Sequence, residues 1–515
     1  MGRTEIAATE PPPDQEGHPD QMERLVGVGI GWKLTGQVFV QGVRLATVMI
    51  LARLLTPTDY GAAAIAIALT SFAPTVADMG MSTALVQVES APQRVRSTTF
   101  WAGLAFGIAL SALFAAAAVP VGKFLDEPQV GAMVAAAGAT FAICAIGTTS
   151  QAMFMREMRF RSIELRFWFA ILVGSVFAVV AAAAGAGSWA LVLQQIVMLA
   201  TLAGALWWRA PWRLTFEFSR EAFRELGSYA MRIAGGRWAR LAELLLLTLL
   251  IGKLVGITEL GAWSFAMSTV ILPLSVIAIP IAEVLFSAFS RLQGDRERMG
   301  ALWLQSVRYL SAVVLPLLTL LVVAAPDLIP TVFGSKWEIS VGVIQILSIY
   351  VIIRCLQAWG QVLLDAVGRP EVTLWTQLAA LCLTPVGVLV AAPWGIEAVA
   401  IAFVIRQLVA VEIPVLMIVL SELRIPLRSL LARLYPVATA TLVMVAVSFV
   451  GRLALIRLGV DIEQRALATV GLALLVYAVA LRALAPDIVR RAIGIVRGLL
   501  ARLPSPRRRV QLQAR

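Results

Sequence analysis

Fixed positive charges inside apolar runs are the residues of this chain best placed to do chemistry. Arg44 lies near the middle of the run WKLTGQVFVQGVRLATVMI, with Lys33, Gln37 and Gln41 eleven, seven and three positions before it. At about 100° per residue those spacings set all four on one face of a helix. The run MRIAGGRWARLAELLL carries Arg232, Arg237, Arg240 and Glu243, and Arg354 and Arg406 sit near the centres of two later runs, beside Gln357, Gln361 and Gln407. A guanidinium stays protonated and forks two hydrogen bonds to phosphate oxygens. In a wet chamber shielded from hydrocarbon, such residues suit an anionic, phosphate-bearing group, and Arg44, Lys33, Gln37, Gln41, Arg237, Arg240, Arg354 and Arg406 form the candidate binding set. Plainer readings compete. Lys33, Arg232 and Arg308 lie close enough to run ends to snorkel, Arg240 and Glu243 are spaced for an intrahelical pair, and each deep arginine could be matched to a buried carboxylate.

Acids inside the runs are few: Asp78 in TVADMGM, Glu243, Glu283 in PIAEVLF and Glu412 in AVEIPV. Asp78, Glu283 and Glu412 are candidate proton or sodium sites, or else counter-ions for the arginines. The single histidine, His18, precedes the first run, and Cys144, Cys355 and Cys382 are each inside one, which leaves no metal-ligand cluster and no disulfide framework. No G-x-x-x-x-G-K-[ST] phosphate cradle is present, the nearest string being VFGSKWEIS at Val332, so no nucleotide or other cofactor is expected.

The elements that must position these charges follow from composition. Of 515 residues, 59% are hydrophobic and 14% charged, and the mean hydropathy is +0.85. Apolar stretches of roughly 20 residues, enough to cross a hydrocarbon core of about 30 Å as helices, follow one another almost without pause. We expect an all-α polytopic membrane protein with about fourteen spans, the first covering about residues 31–55. Residues 1–24 read as a disordered tail, 25–208 as a first lobe of six spans, 209–228 as a linker and 229–420 as a second lobe of six. Two extra spans lie within 421–485, and 486–515 read as a basic amphipathic tail lying in the plane of an anionic leaflet. Counting Lys and Arg in alternate loops gives seventeen on the side of the N terminus against seven on the other, which places both termini in the cytoplasm. The same basic loops account for most of the net charge of +12, so nucleic acid is not an expected partner.

One stretch is written twice. ARLLTPTDYGA at 52–62 returns as GKLVGITELGA at 252–262, with Leu54, Thr58, Gly61 and Ala62 repeated in place at an offset of 200. Glu164 and Trp168 return as Glu371 and Trp375, and Gly187 and Ala190 as Gly395 and Ala398. Six spans is an even number, so the lobes would be parallel repeats about an axis along the membrane normal, enclosing a central cavity that rocking exposes to each side in turn. Prolines within spans, Pro273, Pro280 and Pro385, mark expected bends.

ILARLLTPTDYG followed by SFAPTVADMGMSTALVQ resembles the opening signature of the Wzx-type polysaccharide-synthesis flippases, within the multidrug/oligosaccharidyl-lipid/polysaccharide exporter superfamily. MREMRFRSIELRFW is similar to the same family's cytoplasmic loop, and the likeness extends over most of residues 25–420. The resemblance implies two six-helix lobes, a thirteenth and fourteenth helix, and flipping of an undecaprenyl-pyrophosphate-linked oligosaccharide to the periplasmic leaflet of a bacterial inner membrane. Glycosyltransferases and a polymerase of the same pathway would then be partners. Two alternatives stay open. A cation-coupled drug exporter of the same superfamily would prefer an acidic, aromatic cavity, whereas cations outnumber acids in these runs. A membrane polymerase or ligase would need a large outward loop, and the longest, around Pro326 to Ile339 and Arg452 to Arg465, have about fourteen residues without a nucleophile pair.

Overall fold

The computed structural model describes residues 39–76, 92–221, 242–356 and 358–491, with isolated positions 36, 85, 223, 224 and 494. Among the described residues every regular element is a helix. Beside a single helical turn at Ala73–Val76 and short 3-10 turns, in chain order these are α1 (39–54), α2 (Pro57–Thr70), α3 (Gln93–Phe124), α4 (Pro128–Arg156), α5 (Phe160–Ala183), α6 (Trp189–Trp207), α7 (242–254), α8 (Ile257–Arg291) and α9 (Arg296–Phe333). Then follow α10 (Val341–Leu356), α11 (Gly360–Ala366), α12 (Pro370–Ala391), α13 (Ile396–Gln407), α14 (Ile413–Glu422), α15 (Leu427–Arg457) and α16 (Ile462–Leu484). Among the described residues, eleven helical segments are long and apolar enough to cross a membrane. The first, second and seventh expected spans run on into residues outside the described set.

Helix starts use chemistry legible in the chain. Thr56 caps α2 reciprocally with Asp59, its hydroxyl accepting from the Asp59 N–H while the carboxylate accepts from the Thr56 N–H at 2.9 Å. Pro128 and Pro370 occupy first turns, where their missing N–H has no helical partner to lose. Pro273 and Pro280 do not break α8, and Pro385 does not break α12. The interruption falls elsewhere. Between α10 and α11, Trp359 adopts a left-handed φ of 60° and is pinned by an indole hydrogen bond to the Ala278 carbonyl, and a π-turn at Leu408–Glu412 joins α13 to α14.

The repeated stretch explains how the halves meet. Its two copies pack on one another: the Thr58 and Thr258 hydroxyls lie 2.8 Å apart. A Cβ added at Gly61 would sit 1.8 Å from the Ile257 carbonyl oxygen, and one at Gly261 would sit 1.7 Å from that of Pro57. A contact of residue i with j' matched by one of j with i' is what a local two-fold axis produces. Close backbone approach through small residues is how helices associate without a hydrophobic driving force from lipid. Around this point one apolar core takes Ile65 and Met133 from the first half and Leu260, Phe265 and Trp337 from the second.

Two outward loops expected from the sequence are largely helix. α9 continues through Pro326 and Pro330 to Phe333, and Ser335–Ser340 is a 3-10 turn, while α15 reaches Arg457 and α16 begins at Ile462. The reason is Asp327, a 1% exposed carboxylate that the apolar pattern conceals. Arg465 Nη2 donates to it at 2.6 Å and Arg452 Nη2 at 3.3 Å, so Arg452 and Arg465 are partly buried partners rather than loop charges. Toward the other end of α9, Arg308 binds Asp487 through two hydrogen bonds of 2.7 and 3.0 Å, and one turn further on the Tyr477 hydroxyl donates to the Ala312 carbonyl at 2.6 Å. The α15–α16 pair is thereby stapled to α9 at three levels.

Candidate functional site

Arg44 is the cation whose placement bears most directly on chemistry. With Val40 as origin and about 100° per residue, the buried Val40, Gln41, Thr47, Leu51 and Ala52 span an arc of about 140°, with Arg44 at its middle. The exposed Phe39, Met49 and Ile50 lie on the far side. Arg44 itself is exposed, so its side chain reaches open space from the packed face of α1 and not from the face turned to lipid. No carboxylate among the described residues pairs with it. One turn earlier Gln41 is 7% exposed and its Oε1 has no hydrogen-bond partner, an acceptor left over beside the guanidinium.

The second half gathers its charges differently. Tyr350 is the hub of one cluster, its hydroxyl accepting from Arg354 Nη1 at 3.2 Å and from Gln407 Nε2 at 3.1 Å and donating toward Glu412 Oε1 at 3.4 Å. Glu412, in the π-turn, is 3% exposed. The helix that brings Arg354 therefore also brings the hydroxyl that links it to the acid.

Arg406 corrects the expectation of a headgroup-facing cation. It is 6% exposed, and its Nη1 donates to Glu243 Oε1 at 2.6 Å, Thr384 Oγ1 at 3.0 Å and the Ala380 carbonyl at 3.1 Å, with the guanidinium carbon 4.8 Å from the Phe403 ring centre. A buried guanidinium must be matched, and Glu243 on α7 matches it. Lys33, Gln37, Asp78, Arg232, Arg237, Arg240 and Gln357 lie outside the described residues, and of Glu283 only the helical backbone is described. The site thus unites Arg354 with Glu412, sets Arg44 apart on α1, and removes Arg406 from the open set.

The halves are locked to one another at the end where α1 turns into α2. Arg53 donates to the carbonyls of Val332 at 2.9 Å and Thr331 at 3.1 Å, which end α9, while Lys336 and Trp337 donate to the carbonyls of Arg53 and Ala52, which end α1, both at 2.8 Å. Each helix has its orphan C-terminal carbonyls satisfied by donors from the other half, and a cation suits the negative end of the dipole. The repeat partner of Arg53, Lys253, does the reciprocal thing by binding Asp126, in the α3–α4 turn, at 2.7 Å. Tyr60, Phe265 and Trp337 fill the space between, the last two stacked at 4.1 Å. Sequence reasoning missed this lock, although the Arg53 and Lys253 pair of the repeat was its signal.

Fold and site together define a polytopic helical membrane protein of two related halves, locked at one end and carrying on the packed face of α1 an arginine that no described carboxylate matches. The chain belongs to the polysaccharide biosynthesis protein family, whose model matches residues 50–342. It is 24% identical over 326 residues to the succinoglycan biosynthesis transport protein ExoT of Rhizobium meliloti (strain 1021), a match covering 63% of this chain and 66% of that protein, just under two thirds of its length. It is 23% identical over 334 residues to the lipopolysaccharide biosynthesis protein WzxC of Escherichia coli (strain K12), covering 63% and 67%. Among solved structures, the lipid II flippase MurJ in an inward closed conformation superposes over 90% of this chain and 99% of its own with a TM-score of 0.67 at 11% identity, a likeness of fold.

Proposed function

We propose that this protein flips an undecaprenyl-pyrophosphate-linked oligosaccharide from the cytoplasmic to the periplasmic leaflet of a bacterial inner membrane by alternating access. Glycosyltransferases would supply the substrate and a polymerase would receive it. The observation that carries the reading is Arg44: a permanently charged group in mid-span, on the packed face of its helix, open and without a carboxylate partner among the described residues. Leaving such a charge unmatched is costly unless water or an anion completes it. A pyrophosphate supplies that anion, while the polyprenyl tail stays in lipid.

In this reading the lobes are residues 25–208 and 229–420, with 421–485 appended, both termini cytoplasmic and the interlobe lock periplasmic. A lock at that end leaves a chamber facing the cytoplasm, where the lipid-linked sugar is made. Rocking would part the Arg53 and Lys253 contacts and open the other side. The Arg354–Tyr350–Glu412 cluster is placed to couple a proton or ion to that motion, since neutralising Glu412 would leave Arg354 without its acid.

The test is transport in liposomes of a fluorescent pyrophosphate-linked oligosaccharide. The parent should move it and Arg44→Ala should not, with folding of the variant checked by thermal unfolding. Unimpaired flipping by folded Arg44→Ala, or transport of organic cations with none of lipid-linked sugar, overturns the reading.

A further inference from the structure

We propose that the junction of α14 and α15 is a binding site for an anionic phospholipid headgroup of the cytoplasmic leaflet. A cavity of about 440 Å³ opens there, with Arg424, Ser429 and Arg433 on its polar side and Leu304, Ile425 and Ala432 on its apolar side. Among the described residues neither arginine is matched by a carboxylate. The nearest acid along the chain, Glu422, is already bound by Arg296 at 2.9 Å and Arg369 at 3.0 Å. Two arginines and a serine lining one hollow give it an excess of donors over acceptors, which suits a phosphate diester.

The backbone bears this out. Arg424 follows the end of α14 in a left-handed conformation, φ 54°, with the Ile425 N–H returning to the Leu420 carbonyl at 2.9 Å. Glycine is the usual residue at that position, and an arginine there costs about 1 kcal/mol of backbone energy. The cost sets a guanidinium at the rim of the hollow. The start of α15, which has no side-chain cap, adds free N–H donors at the same end.

The same helix provides for the acyl chains. Pro436, Val443 and Val447 follow Ala432 at four, eleven and fifteen residues, which keeps them on its face of α15, and Val443 and Val447 are 46% and 39% exposed. A head that needs cations and tails that need an apolar strip are thus accommodated along one line. The leaflet rests on the orientation proposed above, whereas the site itself does not, and its test involves no transport.

Full-length protein in detergent is incubated with phosphatidylglycerol, phosphatidylcholine, a polyprenyl pyrophosphate or inorganic phosphate, and retained ligand is counted by native mass spectrometry. The parent should retain phosphatidylglycerol over phosphatidylcholine. Arg424→Gly with Arg433→Gln should lower retention about tenfold or more, as expected for loss of charge-assisted hydrogen bonds. Arg424→Gly relaxes the backbone, so the variant should unfold no earlier than the parent, and Arg457→Gln, at the far end of α15, should retain lipid normally. Equal retention by parent and double variant, or equal binding of the two phospholipids, overturns the site. Retention of the polyprenyl pyrophosphate or of inorganic phosphate without phosphatidylglycerol overturns the phospholipid assignment.

Discussion

Arg44 and Arg406 are both arginines in the middle of apolar runs, and they are opposites. Arg406 is sealed between α12, α13 and the Phe403 ring, with a carboxylate at 2.6 Å. Arg44 is open, on the packed face of α1, and no carboxylate among the described residues pairs with it. The first arrangement consumes its charge in holding three helices together; the second keeps its charge in reserve. An intramembrane arginine is therefore informative about a ligand only after its partner has been sought.

The comparison breaks most sharply at Arg406. Arg406→Ala strands Glu243 in the interior and should cost about 3–5 kcal/mol of stability, read as a large fall in unfolding temperature. The double variant Glu243→Gln, Arg406→Gln should recover much of that loss, since it removes both charges. If Arg406→Ala unfolds like the parent, the pair is not structural and the contrast with Arg44 fails.

Next in size is the meeting of the two repeats. Gly61→Ala drives a methyl into the Ile257 carbonyl, and Gly261→Ala does the same at Pro57. Each should cost about 1–3 kcal/mol or more, because backbone and not a flexible side chain must give way. The two should be similar in effect, as reciprocal contacts require. A harmless Gly61→Ala beside a damaging Gly261→Ala would show that the halves do not meet about a local axis.

Arg44→Ala should behave in the reverse sense to Arg406→Ala. Stability should change by less than about 0.5 kcal/mol, as for residues without partners, while binding of a pyrophosphate-bearing lipid should weaken by about ten- to a hundredfold. Arg44→Lys should restore part of the affinity, since it keeps the charge but not the fork. Titration of the lipid into detergent-solubilised protein, monitored by its quenching of tryptophan, checks both.

How far these features could be read from the chain depends on their range. The offset of 200 between ARLLTPTDYGA and GKLVGITELGA was visible, and it leads directly to the Thr58–Thr258 contact because a duplicated turn near a local axis lies opposite its own copy. The spacing that relates Arg44 to Gln41 along one helix was visible too. The partner of Arg406 was not: Glu243 lies 163 residues away, and periodicity carries no information about which helices touch. Asp327 was concealed by its setting, because AAPDLIP, an acid between two prolines, reads as a loop. Its signal was two arginines, Arg452 and Arg465, at facing ends of the last two spans, and it becomes legible only once α9 is known to lie beside them.

The smallest effect concerns the staple at the other end of α9. Asp487 lies past the end of α16, outside the spans; partial burial raises its pKa, and the hydrogen bonds and charge of Arg308 more than reverse this, so its carboxyl sits below the usual carboxylate value. A group with a lowered folded pKa contributes stability above the unfolded value, near 3.9, and loses it as pH falls through the folded one. Asp487 is half exposed, so the pair contributes at most about 1 kcal/mol. Asp487→Asn should therefore unfold slightly earlier than the parent at pH 7, and the gap should close as the pH falls below about 4 and the parent's carboxylate is protonated. Asp327 is held by two arginines inside the helix bundle and gives the comparison its edge: Asp327→Asn should cost several times as much at pH 7, because it leaves Arg452 and Arg465 partly buried without an acid. Equal losses for the two substitutions would mean that burial does not decide what a carboxylate contributes in this protein, and the distinction drawn between Arg44 and Arg406 would lose its physical basis.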